Sequence, residues 1–187
     1  GLGMSAQNAQ AVLLNFDDVA SGTNISNQYA GVTFSKLLSG VDGGPVYANG
    51  AFPTASESSP NVISIFDTTY PGFDNRFGTI HASFASAQNS VSIDVLLAQA
   101  PEGFGTTGIA YMMAYDSGGN TLSTVQTSVL NSYQTLSIAA SDIMDVYFTV
   151  QFMEYPTYGI FDNFNFTSGS GGDNGNGGTP VPEPATM

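Results

Sequence analysis

Apolar and polar residues alternate with a period of two along most of this chain, and this pattern constrains the fold more than any other feature. In residues 91–97, Val91, Ile93, Val95 and Leu97 share one parity, and the polar Ser92 and Asp94 lie between the first three of them. Because successive side chains of a β-strand point to opposite faces, this spacing predicts strands with one buried face. The same alternation recurs in residues 12–16, 32–38, 80–84, 146–152 and 160–166.

Five segments break or join these alternating runs. Residues 62–66 are apolar at both parities, which predicts a strand that is buried on both sides. The sequence Asp-Ser-Gly-Gly-Asn at 116–120 predicts a hairpin turn between strands at 109–115 and 121–129. Gly and Pro at 42–45 and 101–103 predict further turns, and residues 139–144 are expected to form one short helical turn.

Nine or ten antiparallel strands of this length predict an all-β fold of two packed sheets. A jelly-roll-like β-sandwich is the favoured connectivity, and an immunoglobulin-like sandwich is the alternative. The 187 residues suit one domain with a core large enough to be stable alone. The chain has no cysteine, so disulfides and thiolate metal sites are impossible.

The charge balance narrows the classes of partner. Lys36 and Arg76 are opposed by 15 carboxylates, and the formal net charge is -13. Nucleic acids and anionic lipids are excluded, because both need several basic side chains. Cations, neutral polymers and basic partners remain. Charged residues make up only 9% of the chain, which is typical of extracellular β proteins, and no apolar run is long enough to span a membrane.

The composition divides the chain into four parts. Residues 1–11 contain small residues as at a signal-peptide cleavage site, so they are expected to be a signal-peptide remnant or an N-terminal arm. Residues 12–167 are the predicted sandwich domain. Residues 168–179 are rich in Gly, Ser and Asn and predict a flexible linker, and residues 180–187 contain three alternating prolines, which favour polyproline II.

The final segment, Val-Pro-Glu-Pro-Ala-Thr-Met at 181–187, resembles the opening of the sorting signal of PEP-CTERM proteins, with Pro182, Glu183 and Pro184 at its centre. In that family the motif precedes a transmembrane helix and a short basic tail, and this sequence ends before both. Residues 14–18, 29–34 and 158–164 also resemble the opening and closing strands of such modules. The resemblance implies an exosortase substrate that is secreted by a bacterium and held at the cell surface or in an exopolysaccharide matrix. It implies no catalytic activity.

A calcium site is expected where the first and last strands of a jelly roll lie side by side. Asp18 and Asp162 share the parity of core residues on those strands, so both carboxylates are predicted to point inward. Two such charges repel, and calcium is the natural compensation in a chain with so few basic residues. Many carbohydrate-binding jelly rolls resemble this arrangement. The candidate ligands are Asp17, Asp18, Asp162 and Asn163. The alternative is a solvated turn at 17–18 and an Asp162 that caps a strand.

A sugar-binding face is the second candidate site. Two segments combine aromatic rings with polar neighbours, and sugars bind by stacking on rings beside hydrogen-bonding groups. The candidate residues are Tyr70, Phe73, Asp74, Arg76, Tyr155 and Tyr158. The chain has no Trp, the usual sugar platform, and the alternative is that these rings cover the ends of the sandwich.

Catalysis is the third candidate. His81 lies on the polar parity of a strand, Ser83 is close in sequence, and Asp94 is a possible partner across a hairpin. A Ser-His-Asp site needs a nucleophile on a strained turn, and the chain has no Gly-x-Ser-x-Gly motif. His81 is therefore expected to be a solvated strand residue. Among the few glutamates only Glu154, beside Tyr155, is placed for glycoside hydrolysis. The chain is expected not to be an enzyme.

The sequence thus predicts a secreted structural or adhesive module of the bacterial cell surface or biofilm matrix, calcium-stabilised and self-assembling through its sheet edges. A carbohydrate-binding module is the alternative, and a glycoside hydrolase is third. The expected partners are extracellular polysaccharide or copies of the chain itself, together with an exosortase at the C-terminal motif.

Overall fold

The computed structural model describes residues 10–38, 41–50, 58, 60–64, 78–98, 108–129, 132–152 and 158–168. These residues form ten strands, and every strand pairing among them is antiparallel. The strands are β1 (Ala11–Leu14), β2 (Val32–Leu38), β3 (Val41–Gly44), β4 (Ala48–Asn49), β5 (Val62–Ser64), β6 (Gly78–Ala98), β7 (Gly108–Tyr115), β8 (Thr121–Val129), β9 (Gln134–Phe152) and β10 (Tyr158–Ser168). The predicted all-β class is confirmed. None of the described residues forms a helix long and apolar enough to cross a membrane.

Two long strands, β6 and β9, pass through both layers of the sandwich. Residues 78–84 of β6 pair with β2, whereas residues 88–98 pair with β10. Layer 1 therefore has the order β3-β2-β6-β9-β7-β8, and layer 2 has the order β4-β5-β10-β6-β9, with β1 also paired to β10. The register between β6 and β9 shifts between Ser83 and Ser90, where the strands change layers.

The core lies between the two layers. Phe34 of β2 and Phe164 of β10 meet edge to face with ring centroids 5.3 Å apart, and Phe148 of β9 meets Phe161 of β10 at 4.9 Å. The residues predicted to face inward from alternation are buried in β6 and β9: Ile80, Ala82, Phe84, Val91, Ile93, Val95, Val146, Phe148 and Val150. The face-to-face packing confirms the two-sheet sandwich.

The first and last strands lie side by side, as the jelly-roll-like connectivity requires. Leu14 of β1 pairs with Phe164 of β10, and the register continues to Ala11 and Thr167. On the same edge of β10, Ile160 and Phe161 pair with β5. All three residues of β5 are buried, which confirms the expected strand buried on both sides at 62–64, while residues 65–66 of that prediction lie outside the described residues.

The β7–β8 hairpin forms where the sequence predicts it. The Asp116 carboxylate accepts hydrogen bonds from the main-chain N–H groups of Gly118 and Asn120, at 2.8 and 2.9 Å. Gly119 has a φ of 77°, which glycine adopts without steric cost. The turn is thus stabilised by hydrogen bonds to the Asp116 carboxylate and by the backbone freedom of Gly119.

Two predicted irregular segments are strands instead. Residues 42–44, predicted to turn, belong to β3 and pair with β2 across a bulge at Lys36. Residues 139–144, predicted as a helical turn, lie within β9, where residues 140–142 stand opposite Asn89 alone. Asp142 there has a φ of 67°. The extra residues bend the strand as it changes layers, a role typical of bulges.

Candidate functional site

One row of side chains crosses the outward face of layer 1. Ser35 of β2 pairs with His81 of β6, His81 pairs with Tyr147 of β9, and Tyr147 pairs with Met113 of β7. Residues directly opposite each other on paired strands share a face, so all four side chains lie on the side away from the core. Asp145 and Tyr115 pair with each other in the next row on the same face. We call His81, Met113, Tyr115, Asp145 and Tyr147 the tyrosine platform.

The rings of the tyrosine platform form a corner. The His81 and Tyr147 rings stack with their planes 6° apart and their centroids separated by 4.3 Å. The Tyr115 ring stands nearly perpendicular to Tyr147, at 85° and 5.3 Å. The Tyr115 hydroxyl donates to the Met113 sulfur at 3.6 Å. These contacts hold the rings in a fixed arrangement that mixes flat and edge-on surfaces.

A depression of about 420 Å³ opens beside these rings. It is lined by Leu37, Thr79, Met113, Tyr115, Gly119, Asp145 and Tyr147. Apolar and aromatic walls with a few polar groups are the usual composition of small-ligand sites. The depression therefore offers stacking surface and hydrogen-bonding groups together.

His81 is held by polar contacts on both of its ring nitrogens. His81 Nε2 lies 2.7 Å from Asp145 Oδ1, and His81 Nδ1 lies 3.4 Å from the Ser35 hydroxyl. A carboxylate only accepts hydrogen bonds, so His81 donates from Nε2 to Asp145. The interaction fixes the imidazole ring against Tyr147.

Tyr147 keeps its phenolic proton at neutral pH. Burial raises the pKa of the Tyr147 hydroxyl, and the nearby Asp145 carboxylate and Tyr115 add to the rise. A protonated phenol both donates and accepts hydrogen bonds. Tyr147 thus lines the depression with a protonated hydroxyl, while one face of its ring is covered by His81.

The Ser83–His81–Asp94 arrangement considered from the sequence does not form. Ser83 lies on the outward face of layer 1 and pairs with Asp145, whereas Asp94 is in layer 2, where its carboxylate accepts hydrogen bonds from Thr135 and Asn163. The alternation gave each residue's face but not its partner across the sheet. His81 is half-buried and hydrogen-bonded, so it is more enclosed than the solvated residue expected.

Ser35, His81 and Asp145 are in contact in the order of a Ser-His-Asp catalytic triad, but the local geometry does not suit such a triad. Ser35 lies in a regular antiparallel ladder, paired with His81, and not on a strained turn. The positive-φ residues other than glycine are Phe16, Asp142 and Asn163 among those described. A triad also needs main-chain donors free to bind an oxyanion, which a paired strand does not provide.

The four predicted calcium ligands lie near the β1–β10 edge but point in different directions. Asp162 is fully buried, but it pairs with Asp94 on the side of layer 2 away from the core, so its predicted direction toward the core is wrong. Its carboxylate accepts hydrogen bonds from the main-chain N–H groups of Ser58 and Asn163 at 2.9 and 2.8 Å. Burial raises the pKa of Asp162, the hydrogen bonds from Ser58 and Asn163 oppose the rise, and the charge of Asp17 adds to it. Asp17 and Asp162 are therefore electrostatically coupled.

Asn61 secures the turn that carries Asp17. The Asn61 side-chain amide donates to the carbonyls of Phe16 and Val19 at 3.0 and 2.7 Å, and its main-chain N–H donates to Asp17 at 2.7 Å. Phe16 has a φ of 61°, which is costly for a bulky residue. We call Asp17, Ser58, Asn61 and Asp162 the acidic seam.

Asp18 and Asn163 are directed away from the acidic seam. The inward prediction for Asp18 is wrong: its side chain is exposed and accepts a hydrogen bond from the Tyr29 hydroxyl at 2.7 Å. β1 ends at Leu14, so strand parity does not extend to residue 18. The Asn163 amide donates to Asp94 at 3.1 Å. The described part of the chain contains no cluster of three or more His, Cys, Asp or Glu side chains placed to bind a metal.

The predicted sugar-binding residues lie almost entirely outside the described residues. Tyr70, Phe73, Asp74, Arg76 and Tyr155 fall there, as do Glu154 and the sorting motif Pro182, Glu183 and Pro184. Tyr158 begins β10, but its side chain is not among those described. The sequence analysis missed the tyrosine platform. Its signal is the presence of large residues, Tyr111, Met113, Tyr115 and Tyr147, at the outward parity of β7 and β9.

No protein-family model and no curated protein matches this chain. Two solved structures share its fold. The K1 cleaved adhesin domain of Lys-gingipain from Porphyromonas gingivalis W83 aligns with a TM-score of 0.53 and 12% identity over 86% of this chain and 99% of that domain. The K2 cleaved adhesin domain of Lys-gingipain aligns with a TM-score of 0.54 and 10% identity over 84% and 99%. A xylan-binding domain from Paenibacillus barcinonensis aligns less well, with a TM-score of 0.46, 10% identity and coverage of 87% and 96%.

Proposed function

We propose that this chain is a non-catalytic extracellular binding module whose tyrosine platform binds neutral polysaccharide. The observation that carries the proposal is the stacked His81–Tyr147 pair, edged by Tyr115, beside a depression on the outward face of layer 1. Half-buried aromatic rings on an outward face add little to the core, so a binding role explains their position better than a structural one.

The chemistry of the tyrosine platform suits sugars. A pyranose presents apolar C–H groups to an aromatic ring and hydroxyls to neighbouring polar groups. Tyr147 offers a ring and a hydroxyl donor, while Asp145 and Thr79 line the same depression and accept hydrogen bonds. These groups serve reversible recognition without any group placed for bond cleavage.

Electrostatics favour neutral polymers over acidic ones. Lys36 is the only Lys or Arg among the described residues, and it shares the inward face of β2 with Val32 and Phe34, where it is 4% exposed. Among the described residues, the outward face of layer 1 thus presents Asp145 with no lysine or arginine to attract a uronic acid. With a formal charge of -13, the chain repels polyanions.

The proposed setting is the bacterial cell surface or its exopolysaccharide matrix. The C-terminal resemblance to an exosortase sorting signal supports secretion and attachment, and the adhesin domains share the fold of this chain. Replacement of Pro182, Glu183 and Pro184 by alanine in the producing cell is expected to reduce retention of the protein at the surface. Unchanged retention would remove the exosortase from the proposal.

Binding of soluble neutral glycans, measured by affinity electrophoresis and calorimetry, tests the proposed function. Tyr147→Ala removes the stacking ring and is expected to weaken binding by about tenfold or more. Ser137→Ala, on the exposed face of β9 in layer 2, is the matched control and should bind as the wild type does. The proposal fails if no neutral glycan binds, or if Tyr147→Ala binds as well as Ser137→Ala.

We further propose that calcium stabilises the domain at the acidic seam. Asp17 and Asp162 supply coupled carboxylates there, and Asn61 Oδ1 is buried with no hydrogen-bond partner among the described residues. Carboxylate and amide oxygens are the ligands that calcium prefers, so Asp17, Asn61 and Asp162 fit the ion. Bound calcium would offset the repulsion between the two carboxylates. Asp18 and Asn163 have other partners and are left out of this set.

A further inference from the structure

A second depression lies beside the start of β2, and the outward residues Thr33 and Ser83 of layer 1 contribute to its lining. Its volume is about 290 Å³. It is lined by Asn27, Tyr29, Gly31, Val32, Thr33, Ser83, Phe84 and Ala85. Asn27, Gly31, Thr33 and Ala85 are exposed, so the depression is shallow and open to solvent.

A single cross-strand row joins the two depressions. Thr33 of β2 pairs with Ser83 of β6, Ser83 pairs with Asp145 of β9, and Asp145 pairs with Tyr115 of β7. Thr33 and Ser83 line the second depression, while Asp145 and Tyr115 line the first. From β2 to β7 the row crosses three strand spacings, about 14 Å. Ser83 in the middle is small, so no bulky side chain of this row separates the two depressions.

The second depression has its own hydrogen-bonding group. The Tyr29 hydroxyl donates to Asp18 at 2.7 Å, and its ring packs edge to face on the buried Phe16, with centroids 6.0 Å apart. Burial and the neighbouring Asp18 and Asp17 carboxylates raise the pKa of Tyr29, so the phenol stays protonated and holds Asp18 in place. Asn27 and Thr33 add exposed amide and hydroxyl groups.

We propose that the two depressions form one extended site that holds an internal stretch of a neutral polysaccharide chain, running across the strands from Tyr115 to Thr33. The inference rests on the proposed function and adds the length and charge of the ligand. A site for a chain end would need a wall across its path, whereas this row is open and lined by small polar side chains between its ends. Asp145 lines the first depression and Asp18 is bonded to Tyr29 beside the second, which disfavours a polyanion at both.

A length series of oligosaccharides tests the extended site. The probes are oligomers of two to six units cut from a neutral glycan that binds, chosen from xylan, galactan, mannan and mixed-linkage glucan, with alginate as the acidic comparison. Calorimetry should show affinity that rises by about tenfold or more from the dimer to the hexamer, as hydrogen bonds and contacts in the second depression are added. Alginate should bind more weakly than the neutral chain.

The ratio of hexamer affinity to dimer affinity separates the two depressions. The double variant Asn27→Ala, Thr33→Ala should lower this ratio by about threefold to tenfold, the effect of losing one or two hydrogen bonds. Ser137→Ala, on layer 2, should keep the wild-type ratio. Circular dichroism and the unfolding midpoint check that each variant is folded.

The outcomes distinguish this inference from the proposed function. If no neutral glycan binds, the proposed function itself fails. If binding depends on Tyr147 but is independent of length, or if the double variant keeps the wild-type ratio, the tyrosine platform stands and the extended site is wrong. Tighter binding of alginate than of every neutral glycan would overturn the ligand class.

Discussion

The tyrosine platform and the acidic seam differ in the exposure of their polar groups to solvent. The platform holds aromatic rings and one hydrogen-bonded carboxylate, Asp145, at the surface of layer 1. The acidic seam takes a carboxylate, Asp162, out of solvent and surrounds it with main-chain donors. Burying a charge costs stability unless its partners compensate, whereas surface rings cost little. This contrast supports the proposed binding role of the platform and a structural role for the seam.

The outward face of layer 2 offers a comparison on the same scaffold. Ser92, Thr135 and Ser137 occupy outward positions there, Leu13 is 61% exposed, and Val62, Leu96 and Ile160 form a small buried apolar cluster on that side. A single exposed apolar residue is ordinary and needs no explanation. The clustering of three tyrosines on β7 and β9 of layer 1 is the feature that does need one.

The largest effect expected from this comparison is the loss of stability in Asn61→Ala. The substitution leaves the buried carbonyls of Phe16 and Val19 without their side-chain donor and releases a residue held at positive φ. We expect the free energy of unfolding to fall by about 3 kcal/mol. Urea unfolding measures the change.

Asn165→Ala is the matched control, because Asn165 lies on the outward face of β10, opposite the exposed Leu13. It should change the free energy of unfolding by less than about 0.5 kcal/mol. Folded Asn61→Ala protein should bind glycan as the wild type does. Loss of glycan affinity without loss of stability would contradict the division between seam and platform.

Much of the fold follows from local patterns. The alternation in residues 91–97 and the turn residues at 116–120 predict β6 and the β7–β8 hairpin, because parity and turn chemistry are properties of neighbouring residues. Parity fails at Asp18 since β1 has already ended, and at 139–144 since β9 must bend between layers.

Such local patterns do not predict that the residues of the tyrosine platform lie together. Parity places His81 and Tyr147 on outward faces, but only the strand order places one ring against the other. Residues far apart in sequence meet through the register, which alternation leaves open. The aromatic loops predicted as the sugar-binding face are rich in rings within a few consecutive residues. The tyrosines of the platform are single residues spread over two strands.

Removal of calcium is expected to have the next largest effect, again on the seam alone. A ligand bound only by the folded state stabilises it by mass action, so a chelator should lower the melting temperature by about 5–10 °C if calcium was present at a hundred times its dissociation constant. Differential scanning calorimetry with and without calcium measures the shift. Affinity of the tyrosine platform for glycan at 25 °C should stay the same.

The double variant Asp17→Asn, Asp162→Asn is the control for chelation. It lacks both carboxylates of the acidic seam, so its melting temperature should not respond to calcium. An equal shift in this variant and in the wild type would mean that calcium binds elsewhere in the chain. Absence of any shift in the wild type would remove calcium from the proposal.

The smallest expected effect is the pH dependence that Asp162 gives to stability, measured in chelator. Burial raises the pKa of Asp162, so the folded state binds its proton more tightly than the unfolded chain, in which an aspartate has a pKa of about 3.9. As the pH rises from below 3.9 through the folded pKa, the folded state binds more protons than the unfolded state, and the free energy of unfolding falls. The loss is complete above the folded pKa.

Asp162→Asn does not titrate, so the free energy of unfolding of the wild type minus that of this variant should fall as the pH rises through the folded-state pKa of Asp162. Asp116 supplies the opposite case on an exposed turn: hydrogen bonds from Asn120 lower its pKa, so its contribution is present above the unfolded pKa and is lost as the pH falls. The difference between wild type and Asp116→Asn should therefore rise with pH. Urea unfolding at several pH values gives both slopes, and slopes of the same sign would mean that burial does not govern Asp162, leaving the acidic seam no different from a surface turn.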